Sequence, residues 1–287
     1  MKKILLLSII FTACFLNAHV IHTEAMDCRG HVQGIAADET GIYCSFAYER
    51  VKVDYNGKTL FREKVFPHSG DIASDGKLLY CAVSLWDSKL AEKYGANSCI
   101  FIYDRNFKLL KVKPFKTLRG IDGIAFINGK FYVGLNYLGS KLRTGNKIAI
   151  LDKNLNLLKI ATVTIGRNTK FGPQTLNNFR GRLLAGFYGG GGKSFIFSPE
   201  ELEKSDTVVS PVASLPADTT VGFSELPPSF APAGAFIVAR NRRKIIDPKT
   251  KKRTYGVAFT VYTRDEDGKL KKVKSADFAP AKISAEF

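Results

Sequence analysis

The sequence predicts an all-β chain in which five four-stranded antiparallel sheets stand side by side around one axis. Three observations predict it. A unit of about 40–50 residues occurs five times along the chain. Each unit holds short β-prone apolar runs separated by Gly, Asn and Asp turns. A lone four-stranded sheet has no way to bury both its faces, so such units must stack against one another.

The first strands show the repeat. They are His31-Val-Gln-Gly-Ile-Ala, His68-Ser-Gly-Asp-Ile-Ala, Gly120-Ile-Asp-Gly-Ile-Ala, Gly172-Pro-Gln-Thr-Leu-Asn and Gly222-Phe-Ser-Glu-Leu-Pro. Aligning Gln33, Gly70, Asp122, Gln174 and Ser224 gives spacings of 37, 52, 52 and 50 residues. Turn residues follow at Asp38-Glu-Thr-Gly, Ser74-Asp-Gly, Asn128-Gly, Arg180-Gly and Pro232-Ala-Gly, where the chain must reverse. Second strands such as Ile42-Tyr-Cys-Ser-Phe and Leu79-Tyr-Cys-Ala-Val are continuous apolar runs, as expected of strands buried on both faces. Third strands include Ile100-Phe-Ile-Tyr-Asp and Ile148-Ala-Ile-Leu-Asp, and turns at Asn56-Gly57, Asn106, Asn154 and Asp267-Gly268 lead into the fourth. In the fourth unit Pro199-Glu-Glu-Leu-Glu-Lys replaces that turn, as one helical turn with Pro at its start.

The segments Asp75-Gly-Lys-Leu-Leu-Tyr and Ile102-Tyr-Asp-Arg-Asn carry a resemblance. Over residues 30–278 the chain resembles β-propellers of the broad NHL/YncE-like class. The likeness implies a five-bladed β-propeller with blades at 30–66, 67–116, 117–165, 170–216 and 220–278. It also implies that the loops before the first strands and those between second and third strands gather on one axial face.

Residues 1–25 read as a secretory signal and 26–287 as a single propeller domain. Lys2 and Lys3 precede an apolar run, Ile4 to Leu16, too short to span a bilayer. Cleavage after Ala18 or Ala25 places a small residue at the cut. A lipoprotein signal ending at Cys14 is the alternative, with Phe11 where Leu is usual. The chain is therefore expected to be exported, periplasmic or secreted. Cys28, Cys44, Cys81 and Cys99 remain. Export permits disulfides, but the matched positions of Cys44 and Cys81 in adjacent units predict core filling.

The net charge is +17, from 43 Lys and Arg against 26 Asp and Glu. For an exported chain this favours an anionic small molecule or an acidic glycan as partner, with a protein partner as the alternative. No specific nucleic-acid motif is present, no segment is apolar for long enough to cross a membrane as a helix, and a monomer is expected.

Site candidates follow from the axial face. His31, Gln33, His68 and Gln174 belong to first strands, and Lys141, Arg143 and Arg240 to long loops; together they form a ligand-binding set. The segment from Arg240 to Arg253 carries eight positive charges in fourteen residues, and arginine suits bidentate capture of carboxylate, sulfate or phosphate. Asp71, Asp122 and Glu225 are candidates for the acid and base of a glycoside hydrolase, which needs two carboxylates across a sugar. The repeat requires no cofactor; a divalent ion held by His31, His68, Asp71 and Asp122 is the alternative. Three other chemistries are refused. Phe187-Tyr-Gly-Gly-Gly-Gly-Lys-Ser lacks the first glycine of a phosphate loop and opens no helix. Asp265-Glu-Asp-Gly is too short for a calcium loop. No G-x-S-x-G elbow exists.

Overall fold

A computed structural model of the chain describes residues 20–24, 27–65, 68–85, 88–118, 120–136, 146–169, 171–188, 190–231, 234–250, 252–264 and 269–272. After β1 (Val20–His22) the strands fall into five antiparallel sheets. Blade one is β2 (Val32–Asp38), β3 (Gly41–Phe46), β4 (Glu49–Val53) and β5 (Thr59–Lys64). Blade two is β6 (Ser69–Ser74), β7 (Leu79–Ser84), β8 (Ser98–Tyr103) and β9 (Leu109–Phe115), with helix α1 (Ser88–Tyr94) before β8. Blade three is β10 (Ile121–Ile127), β11 (Lys130–Leu135), β12 (Asn146–Leu151) and β13 (Leu157–Val163). Blade four is β14 (Pro173–Phe179), β15 (Arg182–Phe187), β16 (Ser194–Phe197) and β17 (Ala213–Leu215). Helix α2 (Pro199–Lys204) lies between its last two strands and is capped by Ser198, whose Oγ accepts from the Glu201 N–H. Blade five is β18 (Phe223–Glu225), β19 (Phe236–Asp247) and β20 (Lys252–Arg264).

The outer edge of β20 has two partners. Short β21 (Leu270–Lys272) pairs with Tyr262–Arg264, and β1 pairs with Ala258–Thr260. The N-terminal strand thus completes the last blade and closes the ring.

The core is divided as the strand pattern requires. In β3, Ile42 and Cys44 face blade five while Tyr43 faces blade two. Each interface between neighbouring blades has its own apolar cluster, five in all. Alternate side chains of one strand serve two interfaces, which is why the second strands read as unbroken apolar runs. All four described cysteines are buried and free, Cys28 and Cys44 in one interface, Cys81 and Cys99 in the next.

Turns between third and fourth strands repeat one device. Asp54, Asp104 and Asp152 each accept, on Oδ1, the backbone N–H groups two and four residues on, at 2.8–2.9 Å. This Asx geometry fixes the reversal. It also holds Phe107 and Leu155 at φ of 60° and 62°, strain offset by their burial.

The register of blade five differs from the alignment by glycines. Phe223 faces Val238 as Ile35 faces Cys44 and Leu176 faces Ala185. Gly222 therefore stands where Gly34, Asp71, Gly123 and Thr175 stand, three residues from the place that matching it to Gly172 assigns. Both glycines adopt positive φ, so the same residue type marks two different bends.

First strands line the axis and touch across blades. The closest approach is at Gly34, where an added Cβ would lie 1.7 Å from Asp71 Oδ1 and 2.7 Å from its Cα. The Cα is backbone and has no rotamer by which to yield. Gly34→Ala should cost about 2–3 kcal/mol in chemical denaturation; an unchanged midpoint would show that blades one and two do not meet as tightly as described.

Candidate ligand-binding site at the upper axial mouth

Every first strand starts at one end of the axis, here the upper mouth, and ends at the other. Asp71 sits between them. It is 0 % exposed. Its Oδ1 accepts from Ile72 N at 2.9 Å, and Oδ2 accepts from Ile124 N at 3.2 Å and Leu176 N at 2.9 Å. One carboxylate thereby ties blades two, three and four. Burial drives its pKa well above the usual carboxylate range, against the pull of the three amides, and the charge on Asp122 pushes the same way. Both oxygens are occupied and no solvent reaches them, which removes Asp71 from the catalytic and metal-ligand sets.

The upper mouth brings together Gln33, His68, His31, Asp122 and Gln174. Gln33 Nε2 donates to His68 Nε2 at 3.0 Å, which puts the imidazole proton on Nδ1. That buried atom has no partner among the described residues. His31 Nε2 lies 3.4 Å from the Tyr188 hydroxyl. Both imidazoles titrate below their ordinary value: burial disfavours the cation, and Arg243 beside His31, then His31 beside His68, add to it. Both are thus neutral at pH 7.

Asp122 Oδ2 accepts from Asn136 Nδ2 at 2.9 Å and Gln174 Nε2 at 3.1 Å. Its Oδ1 accepts no hydrogen bond from the described residues. Burial raises its pKa to about 6, with the two amides opposing. The ring of Tyr188 packs edge-on against Phe171 at 5.9 Å, and that of Tyr48 against His68 at 5.9 Å. The mouth is a mixture of side-chain amides, neutral imidazoles, aromatic edges and the Asp122 carboxylate. Burial raises the Tyr188 hydroxyl pKa, and Asp122 and Asp218 lie near enough to push it the same way.

Three residues were hidden from sequence reasoning. Asn136 follows the end of β11, and its pairing shows it in the repeat position of Tyr188 and Asn241. A polar or aromatic residue at the exit of successive second strands is the signal that would have found it. Tyr48 and Phe171 carry no such mark.

Glu225 does not join them. It ends β18 and accepts from Arg180 N at 2.9 Å on the turn that closes β14. There it lines a pocket of about 150 Å³ at the lower mouth, with Ser74, Asn178 and Ser224. In register it stands four residues beyond the counterpart of Asp122, roughly 13 Å along the strand, too far to share one sugar with it. Aligning by Gly222 concealed this. Among the described residues no three His, Cys, Asp or Glu side chains converge on a point where a metal ion fits, so the set His31, His68, Asp71 and Asp122 is not assembled. Lys141 and Arg143 lie outside the described residues.

Arg240 opens the basic hairpin. β19 and β20 run 12 and 13 residues where equivalent strands run 4–6. Asn241 Oδ1 accepts from Val32 N at 2.9 Å, which sets the level of the mouth. Residues beyond it rise above the blades by roughly 20 Å. Arg243 and Tyr255 form one cross-strand pair, and the Tyr255 ring meets His31 at 6.2 Å. Arg240, Arg242, Arg243, Lys244, Lys249, Lys252 and Arg253 form no ion pair with any described residue.

The chain is a five-bladed β-propeller. Among solved structures it is similar to the glutaminyl cyclase of Myxococcus xanthus, at 12% identity and TM-score 0.54, over 85% of this chain and 98% of that one. It is also similar to the GH43_1 enzyme of Xanthomonas citri complexed with xylose, at 11% identity and TM-score 0.51, over 88% and 94%. A third is GH43B of the Bacteroides ovatus xyloglucan locus, at 10% identity and TM-score 0.54, over 91% of this chain and 57% of that one. At such identities the likeness is one of fold. No protein-family model and no curated protein matches the sequence.

The raised pKa of Asp122 has a definite sign. The folded state favours the protonated acid, so its contribution to stability is complete below the unfolded value near 4 and is lost as pH rises through about 6. Measured as the difference between wild type and Asp122→Asn, stability should fall by up to about 3 kcal/mol from pH 4 to pH 7. A difference that stays flat would mean Asp122 is solvated like any surface carboxylate.

Proposed function

We propose that this chain is an exported propeller whose upper mouth binds an anionic, glycan-derived ligand. The observation that carries the reading is the hairpin: seven cations that pair with no carboxylate among the described residues rise beside a mouth built for neutral polar contact. Amide groups and aromatic edges suit a sugar ring with its hydroxyls, and unpaired guanidinium groups suit a carboxylate, sulfate or phosphate attached to it. Export rests on the leader-like residues 1–25 alone. The Asp-Gly-Lys and Tyr-Asp-Arg-Asn signatures support placing the blades in the NHL/YncE-like class.

Hydrolysis by axial carboxylates is the second reading. An acid titrating near 6 is suited to proton exchange at neutral pH, and the GH43 neighbours act within the same fold. The three carboxylates named for it do not meet, since Asp71 is sealed by backbone amides and Glu225 stands at the other mouth. Turnover of an acidic oligosaccharide abolished by Asp122→Asn would favour it. A protein-docking scaffold, by contrast, predicts no small-molecule binding.

Titration at low salt with acidic oligosaccharides and their neutral counterparts tests the proposal. Binding should be confined to the acidic set and should weaken steeply with added salt. The double variant Arg242→Glu, Arg243→Glu should weaken it at least about tenfold, or about 1.4 kcal/mol, with the melting temperature unchanged. Equal affinity for the neutral sugars, or indifference to the charge reversal, would overturn it.

A further inference from the structure

The leader and the closing strand overlap. Residues 1–25 have the pattern of a secretory signal, yet Val20–His22 is a strand of blade five, with Val20 opposite Thr260, Ile21 opposite Phe259 and His22 opposite Ala258. The attachment continues beyond the strand. Thr23 N donates to Val257 O at 3.0 Å, and the Val257 N–H donates back to Thr23 Oγ1 at 2.9 Å. Glu24 N donates to Gly57 O of blade one at 3.0 Å. Ile21 is 3 % exposed and packs in the cluster between blades five and one. β21 reaches only Tyr262–Arg264, so nothing else described covers Val257–Thr260 on that edge.

Beyond the apolar run, two bonds in the leader follow an alanine, Ala18–His19 and Ala25–Met26. A cut at the second removes β1, Thr23 and Glu24. It would leave a bare edge on β20 and a void where Ile21 sat, both costly. A cut at the first leaves the whole closing strand. We infer that the leader is removed at Ala18–His19, and that the new N-terminus is the ring-closing element of the exported protein. This rests on the export reading given above.

Two measurements separate the inference from that reading. The full chain is expressed in a bacterial host, and the intact mass of the exported protein is determined. A chain beginning at His19 is expected; one beginning at Met26, or at a lipid-bearing Cys14, overturns the cleavage assignment while leaving export intact. Full-length chain confined to the cytoplasm overturns both. Independently of export, chains 19–287 and 26–287 are made in the cytoplasm and melted. The shorter should melt lower by about 10 °C, or fail to fold. Within the 19–287 chain, Ile21→Ala should lower the melting temperature by about 5 °C. Identical melting of all three would show that the strand closes nothing.

Discussion

One carboxylate at the centre of the ring sets the geometry of everything around it. Asp71 accepts the backbone N–H groups of Ile72, Ile124 and Leu176, and it lies against Gly34. Four of the five blades therefore meet at a single side chain. A polar group buried so fully is tolerable only because both of its oxygens accept backbone N–H groups. Its cost in desolvation is real, as the raised pKa shows, so the residue serves register more than net stability. It also separates the two mouths, and so decides which axial side chains share a space.

Above Asp71, chemistry changes character over one or two residues. Gln33, Asp122 and Gln174 precede the strand centres and face the upper mouth, whereas Ser74, Asn178 and Glu225 follow them and line the lower pocket. The same first strands thus supply two unlike environments from alternate ends. In the upper one burial lowers the pKa of both imidazoles and so favours their uncharged form. Positive charge is kept out of the mouth itself and carried on the hairpin beside it. That division puts long-range attraction on the arm and short-range fit at the axis.

The ring was legible in the sequence because its signals are local. Apolar runs of five residues, Asp-Gly and Asn-Gly turns and a spacing near 50 residues return along most of the chain and need no tertiary information. The helical turn at Pro199 was equally local. What the sequence concealed depends on contact between distant segments. Asp71 looks like any acid in a strand until Ile124 and Leu176 are brought to it. Glu225 was misplaced because Gly222 and Gly172 share a residue type and a positive φ without sharing a position. The closing strand was hidden under a stronger signal, since Val20 and Ile21 extend the apolar pattern of a leader.

The four described cysteines have a chemical consequence in this setting. Burial pushes the Cys28 and Cys99 thiols up to about 12, and that of Cys44 higher still. Sulfur reacts as thiolate, so in an intact ring these three offer almost none to an oxidant or a mixed disulfide. Thiols shut away between blades leave the protein indifferent to the redox poise of its surroundings. They become reactive only when an interface parts, and the appearance of a titratable thiol is then a clock for the opening of the ring.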